Sequence, residues 1–344
     1  MATWFDESRL DDEAVWKRAD GRLRELAASG ARVRLEAGEA AEAIEAAVAR
    51  AGEQQRPRAV IAAGPDSRLL RAVLEPWCPV PFVAWPGPSL PGWAGGLDLV
   101  VVLAPDGGHS SASAVAEAVR RGCQLVVACP PTSMVAEHAG GRWSTILPTR
   151  SGDQLATAVA VLDYLERVRL GPRVDVERVA AALDEVAVTC SPHRDLAVNP
   201  AKMLAIALAD TAPVVWGGSV LAARAARRIA ESLRRASGRS ALAGDAEHLL
   251  PVLEAVAPRD VFDDPFADEQ RERRPMLLVL DDGNDEPIIR EDRGRLRAAA
   301  SGRGVRIETL TTDAPTEVAR YASLLLSGGY AAEYLRLGLV DDGG

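Results

Sequence analysis

Short, almost uninterrupted apolar runs recur along the chain, separated by amphipathic stretches of helical length. Residues 59–63 (AVIAA), 80–85 (VPFVAW), 97–104 (LDLVVVLA), 124–129 (QLVVAC) and 144–147 (STIL) form a first series. Strands covered on both faces read this way, whereas half-exposed strands alternate. Between the third and fourth runs, residues 111–122 are Ala-rich with charges on one side, the pattern of a crossover helix. Five such runs with helices between them predict one doubly wound α/β domain with a parallel sheet. Ahead of it, residues 11–28 and 37–51 carry apolar positions at three- and four-residue spacings and read as helices.

A helical block follows. Residues 153–170 and 174–186 have strong helical periodicity, with Gly171 and Pro172 between them as a stop. Asn199 and Pro200 form a helix start, the Asn as cap and the Pro at the first helical position. A second series of apolar runs comes next, at 213–217 (PVVWG), 240–243 (SALA), 259–262 (RDVF), 276–280 (MLLVL) and 304–310 (GVRIETL). Helical patterns at 220–237, 246–256 and 291–300 separate these runs, and 316–337 closes the chain as helix. Residues 263–274 (DDPFADEQRERR) read as a charged surface loop. The plan is two α/β domains, at 1–150 and 211–344, joined by a helical bridge at 151–210.

Length agrees, since 344 residues at roughly 150 per domain give two domains. The net charge of −9 argues against nucleic acid as a partner. No apolar run approaches the length of a membrane span. An acidic start at residues 1–20 is unlike an export signal, so a cytoplasmic protein is expected. Cys78, Cys123, Cys129 and Cys190 have no metal-ligand spacing and read as buried thiols. Nothing in the chain asks for a metal or cofactor. Lys17 and Lys202 are the only lysines.

Ligands of such domains sit at the carboxyl ends of the strands, where helix N-termini point. Two turns of the first domain fit. One holds Gly64 and Ser67; the other holds Asp106, Gly107, Gly108, His109, Ser110 and Ser111. Glycines let a backbone approach an anion, and N–H groups with Ser hydroxyls hold phosphate oxygens. The same residues also suit ordinary strand-to-helix turns with Ser110 or Ser111 as the cap. Trp216-Gly217-Gly218-Ser219 has the same form in the second domain. The four histidines, His109, His138, His193 and His248, are scattered, and no Ser/His/Asp order stands out.

The order of Leu90-Pro91-Gly92-Trp93-Ala94-Gly95, Asn199-Pro200-Ala201-Lys202, Pro213-Val214-Val215-Trp216-Gly217 and Ala225-Ala226-Arg227 resembles the sugar-isomerase (SIS) family. The likeness is to its bifunctional phosphoglucose/phosphomannose isomerase branch, and to divergent actinobacterial SIS-domain proteins. It implies two tandem SIS domains, each a five-stranded parallel sheet between helices. It also implies a hexose 6-phosphate ligand between the domains, a homodimer, and aldose–ketose isomerisation through an enediol.

The family's catalytic residues are out of register. Asp106-Gly107-Gly108-His109-Ser110 stands where the phosphate loop reads S-G-N-T-x. Arg234-Arg235-Ala236-Ser237 replaces an E-N-A-K motif. Leu155-Ala156, not Pro-Arg, follows Gly152-Asp153-Gln154. Ala255 stands where the resemblance places the ring-opening histidine, and no lysine follows Lys202. Asp106 beside a phosphate costs about 4 kcal/mol at roughly 4 Å and an effective dielectric near 20.

Three readings follow. In the first, the protein is a non-catalytic sugar-phosphate binder in mannose and hexose-phosphate metabolism, with Gly64, Ser67, Gly107, Gly108, Ser110, Ser111, Lys202 and Arg227 as ligand contacts. The second is an isomerase with re-sited residues. The third is a dimer partner without a ligand, pairing through the Ala-rich helix near 220–230. The accumulated losses favour the first.

Overall fold

Strands form where the apolar runs lie. The computed structural model describes residues 3–51, 56–257 and 273–341. They fold into two units, one continuous (Ser29–Ala181) and one made of Met1–Ala28 with Ala182–Gly344.

In the continuous unit, α3 (Ser29–Ala51) is followed by β2 (Val60–Ala63), α4 (Ser67–Leu74), β3 (Phe82–Trp85), β4 (Leu99–Leu103), α5 (His109–Arg120), β5 (Gln124–Cys129), α6 (Met134–His138), β6 (Ser144–Pro148) and α7 (Gln154–Arg167). The strands form one parallel sheet in the order β3-β2-β4-β5-β6. β2 and β4 are buried along their whole length. Ala112, Val115 and Ala118 of α5 and Val135 of α6 cover one face, against Ile61, Val100, Val102, Leu125 and Val127.

Helix α3 is longer at its start than its apolar spacing predicts. Its buried stripe runs Val33, Glu36, Ala40, Ile44 and Ala47, so a carboxylate occupies a core position. Glu36 accepts from the backbone N–H groups of Arg150 and Ser151, which settles a charge that sequence periodicity reads as polar. The Leu90–Gly95 phrase also has a structural job. Arg58 Nε and NH2 donate to the fully buried Asp98 at 2.9 and 2.6 Å, Asp98 accepts from the Gly95 N–H, and the Arg58 guanidinium lies 5.8 Å over the Trp93 ring. This ties the loop to the entry of β4.

The other unit begins with β1 (Thr3–Phe5), α1 (Glu13–Arg18) and α2 (Asp20–Ala27). Helix α8 (Val176–Thr189) leads into it, followed by α9 (Pro200–Leu208), β7 (Ala212–Gly217), α10 (Val220–Ser237), β8 (Leu242–Ala243) and α11 (Ala246–Glu254). Then come β9 (Pro275–Asp281), α12 (Pro287–Gly302), β10 (Arg306–Thr311), α13 (Glu317–Gly338) and β11 (Leu339–Asp341). The parallel sheet has the order β10-β9-β7-β8, and β1 pairs antiparallel with β11. Five strands are expected here and four occur among the described residues; the expected strand at 259–262 lies outside them.

The leading residues join the C-terminal half rather than the domain that follows them. Asp6 N–H and Arg9 Nε donate to the carbonyls of Gly338 and Leu337, both at 2.8 Å, and His193 meets Trp16 edge-on. Lys202 is the strongest tie. It is fully buried, and its ammonium donates to Asp11 Oδ1 at 2.6 Å and to the Pro192 and Arg194 carbonyls at 2.9 and 2.8 Å.

The expected dimer face on α10 is also taken. Leu221, Ala222, Ala225, Ala226 and Ile229 are buried, with α10 packed on α13 and on β7. Of the four thiols, Cys123, Cys129 and Cys190 are buried and Cys78 is only half-buried. No helix among the described residues is long and apolar enough to cross a membrane.

Breaking the Lys202–Asp11 pair has an ordered outcome. Asp11→Ala leaves a buried ammonium without a counter-charge and is expected to cost about 3–5 kcal/mol. Lys202→Met leaves Asp11, which is half-exposed and can rehydrate, so about 2–3 kcal/mol is expected. The hydrogen bond from Lys202 holds the Asp11 carboxyl below its ordinary value of 3.8. A lowered carboxylate stabilises the fold above that value and loses its contribution as pH falls through the folded one. Urea denaturation of both variants, at neutral and acid pH, measures the order and the reduced acid sensitivity of Lys202→Met.

Candidate functional site

A parallel sheet offers a ligand its carboxyl edge, at the point where the strand order reverses. In the continuous unit the chain leaves β2 for β3 on one side and β4 for β5 on the other. The reversal therefore lies between β2 and β4. Right-handed crossovers put α4 and α5 on opposite faces there, with both N-termini at the crevice.

After β2 the chain turns at Gly64, whose φ of 87° requires glycine. A Cβ at Gly64 would lie 3.4 Å from the Ser111 Oγ, so the two turns abut. Asp66 does not cap α4 with its side chain; its Oδ1 accepts from Gln154 Nε2 at the first turn of α7. In the sequence Gln154 stands out only as part of a family motif. No spacing rule pairs it with Asp66, 88 positions away.

After β4, Gly107 has a φ of 65° and packs so closely on Ser133 that a Cβ would meet that side chain at 2.7 Å. Helix α5 begins at His109 with Gly108 as its cap, not Ser110 or Ser111. Gly108 has no side chain to cap that first turn. The Asp106 carboxylate accepts from the Gly108 N–H at 3.2 Å instead.

Among the expected contacts, Gly64, Ser67, Gly107, Gly108, Ser110 and Ser111 lie on these two turns. Ser67 and Ser111 are buried, and the Ser67 hydroxyl has no hydrogen-bond partner. Asp106, His109 and Ser110 are exposed. The accessible surface of the crevice is thus a helix N-terminus, one free-standing hydroxyl and a carboxylate.

Lys202 and Arg227 belong to the other unit. Lys202 is corrected as a ligand contact, because all three ammonium donors are used inside the fold. Arg227 is exposed on α10 and pairs with Asp245 at 3.6 Å. Arg234 and Arg235, which stand where the resemblance places the E-N-A-K motif, are engaged as well: Arg234 donates to the Ala241 carbonyl at 2.7 Å, and Arg235 pairs with Glu231.

The corresponding crevice of this unit lies between β7 and β9. One of its two helix starts is capped by a side chain, α10 by Ser219, and the other, α12, is not. Ser219 accepts from the Ala222 N–H at 3.0 Å and donates to Asp282 Oδ2. Asp281 accepts from the Gly283 N–H and from Arg293 NH1, both at 3.1 Å. Gly217 and Gly218 serve packing here: a Cβ would sit 2.4 Å from the Ala222 carbonyl carbon at the first and 2.3 Å from Ile289 Cγ2 at the second.

Comparison with known proteins bears on this half directly. Residues 197–339 match the model of the bacterial phospho-glucose isomerase C-terminal SIS domain. These residues are similar to a SIS domain of that kind. The SIS fold also appears in solved structures of low identity. Tagatose-6-phosphate ketose/aldose isomerase from Escherichia coli is 12% identical, with a TM-score of 0.65 over 92% of each chain. The C-terminal domain of glucosamine-fructose-6-phosphate aminotransferase from Francisella tularensis is 10% identical, with a TM-score of 0.63 over 92% of this chain and 95% of that one. A glucose-6-phosphate isomerase like protein from Thermus thermophilus is 17% identical, with a TM-score of 0.51 over 83% of this chain and 82% of that one. At these identities the likeness establishes the fold. No curated protein sequence matches the chain.

The glycines of the SIS turns divide into tight and open positions. Gly217→Ala forces backbone atoms apart and is expected to destabilise by about 1–3 kcal/mol or more. Gly38, exposed in α3 with nothing within 4 Å of a built Cβ, is the control. Gly38→Ala is expected to stabilise by about 0.5–1 kcal/mol. Thermal unfolding of the two variants reads opposite signs.

Proposed function

We propose that this SIS-fold protein binds a phosphorylated hexose or amino sugar at the carboxyl edge of the sheet in residues 29–181, without isomerising it. The carrying observation is a contrast in helix caps: neither α4 nor α5 has a side-chain cap at the crevice between β2 and β4, whereas between β7 and β9 Ser219 caps α10 and α12 alone has none. Between β7 and β9, Ser219 is used as both donor and acceptor, and the acid groups are satisfied internally. Between β2 and β4, the first turn of α5 keeps N–H groups that no side chain caps, beside the exposed Ser110. Such N–H groups favour an anion.

Catalysis is a different matter. Moving a proton between adjacent carbons of an open-chain sugar needs a base and a cation for the enediolate, and each such group is worth about a hundredfold or more. The positions that the family resemblance assigns to these groups hold Arg234, Ala156 and Ala255. Arg234 and Lys202 are held by backbone carbonyls, and Lys202 by Asp11 as well. A role in hexose-phosphate metabolism as a binder or sensor fits this residue set better than turnover does.

Asp106 limits the affinity. Its carboxylate sits at the N–H group that a phosphate oxygen would approach. Because Asp106 is exposed, the solvent-screened repulsion of about 1 kcal/mol per charge pair at roughly 4 Å applies. Coupled assays with glucose 6-phosphate, mannose 6-phosphate and fructose 6-phosphate are expected to show turnover below about 1 s⁻¹; faster turnover contradicts the non-catalytic reading. In calorimetry, Asp106→Ser is expected to tighten hexose 6-phosphate binding by roughly fivefold. Unchanged or weaker binding places the phosphate elsewhere.

A further inference from the structure

A cavity of about 310 Å³ lies at the amino-terminal edge of the sheet in residues 29–181, the end away from the loops described above. The first residues of β4, β5 and β6 form its floor, and α3 and α7 contribute Arg50 and Tyr164. Arg142 and Trp143, just before β6, complete it.

The cavity is lined by two arginines. The chain has a net charge of −9, and Arg32, Arg34, Arg58 and Arg121 of the same unit each pair with a carboxylate. Arg50 and Arg142 both line the cavity, and neither makes an ion pair among the described residues. Among the described residues no acidic side chain lines it with them. Arg50 NH2 donates to Thr145 Oγ1 at 3.1 Å, and the Arg142 guanidinium stacks 4.3 Å from the centre of the Trp143 ring. Two guanidinium groups around one recess repel unless an anion lies between them.

The remaining groups are suited to an oxyanion ester. Gln124, Ser144 and Thr145 bring neutral donors. Burial raises the Tyr164 hydroxyl above its ordinary value, so it stays a neutral phenol. Guanidinium forks match phosphate oxygens bidentately, and Trp143 offers a flat apolar surface.

We propose that this cavity is a second binding site, for an organic monophosphate held between Arg50 and Arg142 with its flat or apolar body against Trp143. It is independent of the carboxyl-edge crevice.

Phenyl phosphate is a suitable probe, titrated calorimetrically into the full chain with inorganic phosphate and phenol as comparisons. Phenyl phosphate is expected to bind with a dissociation constant of about 1 mM or lower, and phenol not at all. Arg50→Ala and Arg142→Ala are each expected to weaken it by about tenfold, with a smaller loss for Arg142→Lys, whose ammonium lacks the fork. Trp143→Ala is expected to weaken phenyl phosphate more than inorganic phosphate. Both arginines are exposed, so their variants keep the wild-type melting temperature. Asp106→Ser leaves this binding unchanged, which separates the site from the carboxyl-edge crevice. Absence of heat up to about 10 mM, or wild-type affinity in both alanine variants, overturns the proposal.

Discussion

A single buried ammonium organises the unit that contains the residues matching the SIS domain. Lys202 sits at the start of α9 with no exposed surface, 5.6 Å from the centre of the Tyr334 ring, and gives its three donors to Asp11 and two backbone carbonyls. Desolvating a charge is expensive unless every donor is met. Once it is met, the leading segment and the loop before α9 are held to the same point. Tyr334 extends the cluster by donating to the Cys190 carbonyl at 2.6 Å, and burial pushes the Cys190 thiol up to about 11. The same bonds that stabilise this centre remove the cation that sequence reasoning assigns to a ligand.

That interaction also marks the limit of what the sequence discloses. The central strands β2, β4, β5, β7 and β9 are legible because each is buried nearly throughout and therefore almost continuously apolar. β5 occupies 124–129, as its apolar run predicts. The cap at Asn199 is legible for a local reason, since its Oδ1 accepts from the N–H groups two and three residues on, at 3.1 Å each. Long-range polar contacts leave no such trace. Glu36 interrupts an apolar stripe because its partners lie over a hundred positions away, and Lys202 reads as a ligand contact because Asp11 is 191 positions distant. The allegiance of the first twenty-eight residues to the C-terminal half rests on contacts of the same kind.

The candidate site is legible in outline and altered in detail. Glycines at 64, 107 and 108 mark the turns correctly, and the positive φ at Gly64 and Gly107 explains why glycine stands there. The start of α5 at His109 moves Ser110 and Ser111 into the first helical turn and leaves the cap to Gly108. This shift matters chemically, because a Ser cap would have consumed an N–H group of the turn. Both crevices carry acid on the second of their two turns, Asp106 in one unit and Asp281 with Asp282 in the other. Between β7 and β9, Asp282 accepts from Ser219 and Asp281 from Arg293, whereas Asp106 accepts from the Gly108 N–H.

Hydrogen–deuterium exchange in the presence of fructose 6-phosphate tests this account most directly, because it reads the N–H groups themselves. At saturating ligand, exchange is predicted to slow in peptides covering residues 64–70 and 107–112, with the peptide covering 217–222 unchanged. Slower exchange at 217–222 with no change at 64–70 and 107–112 would contradict the assignment of the binding crevice.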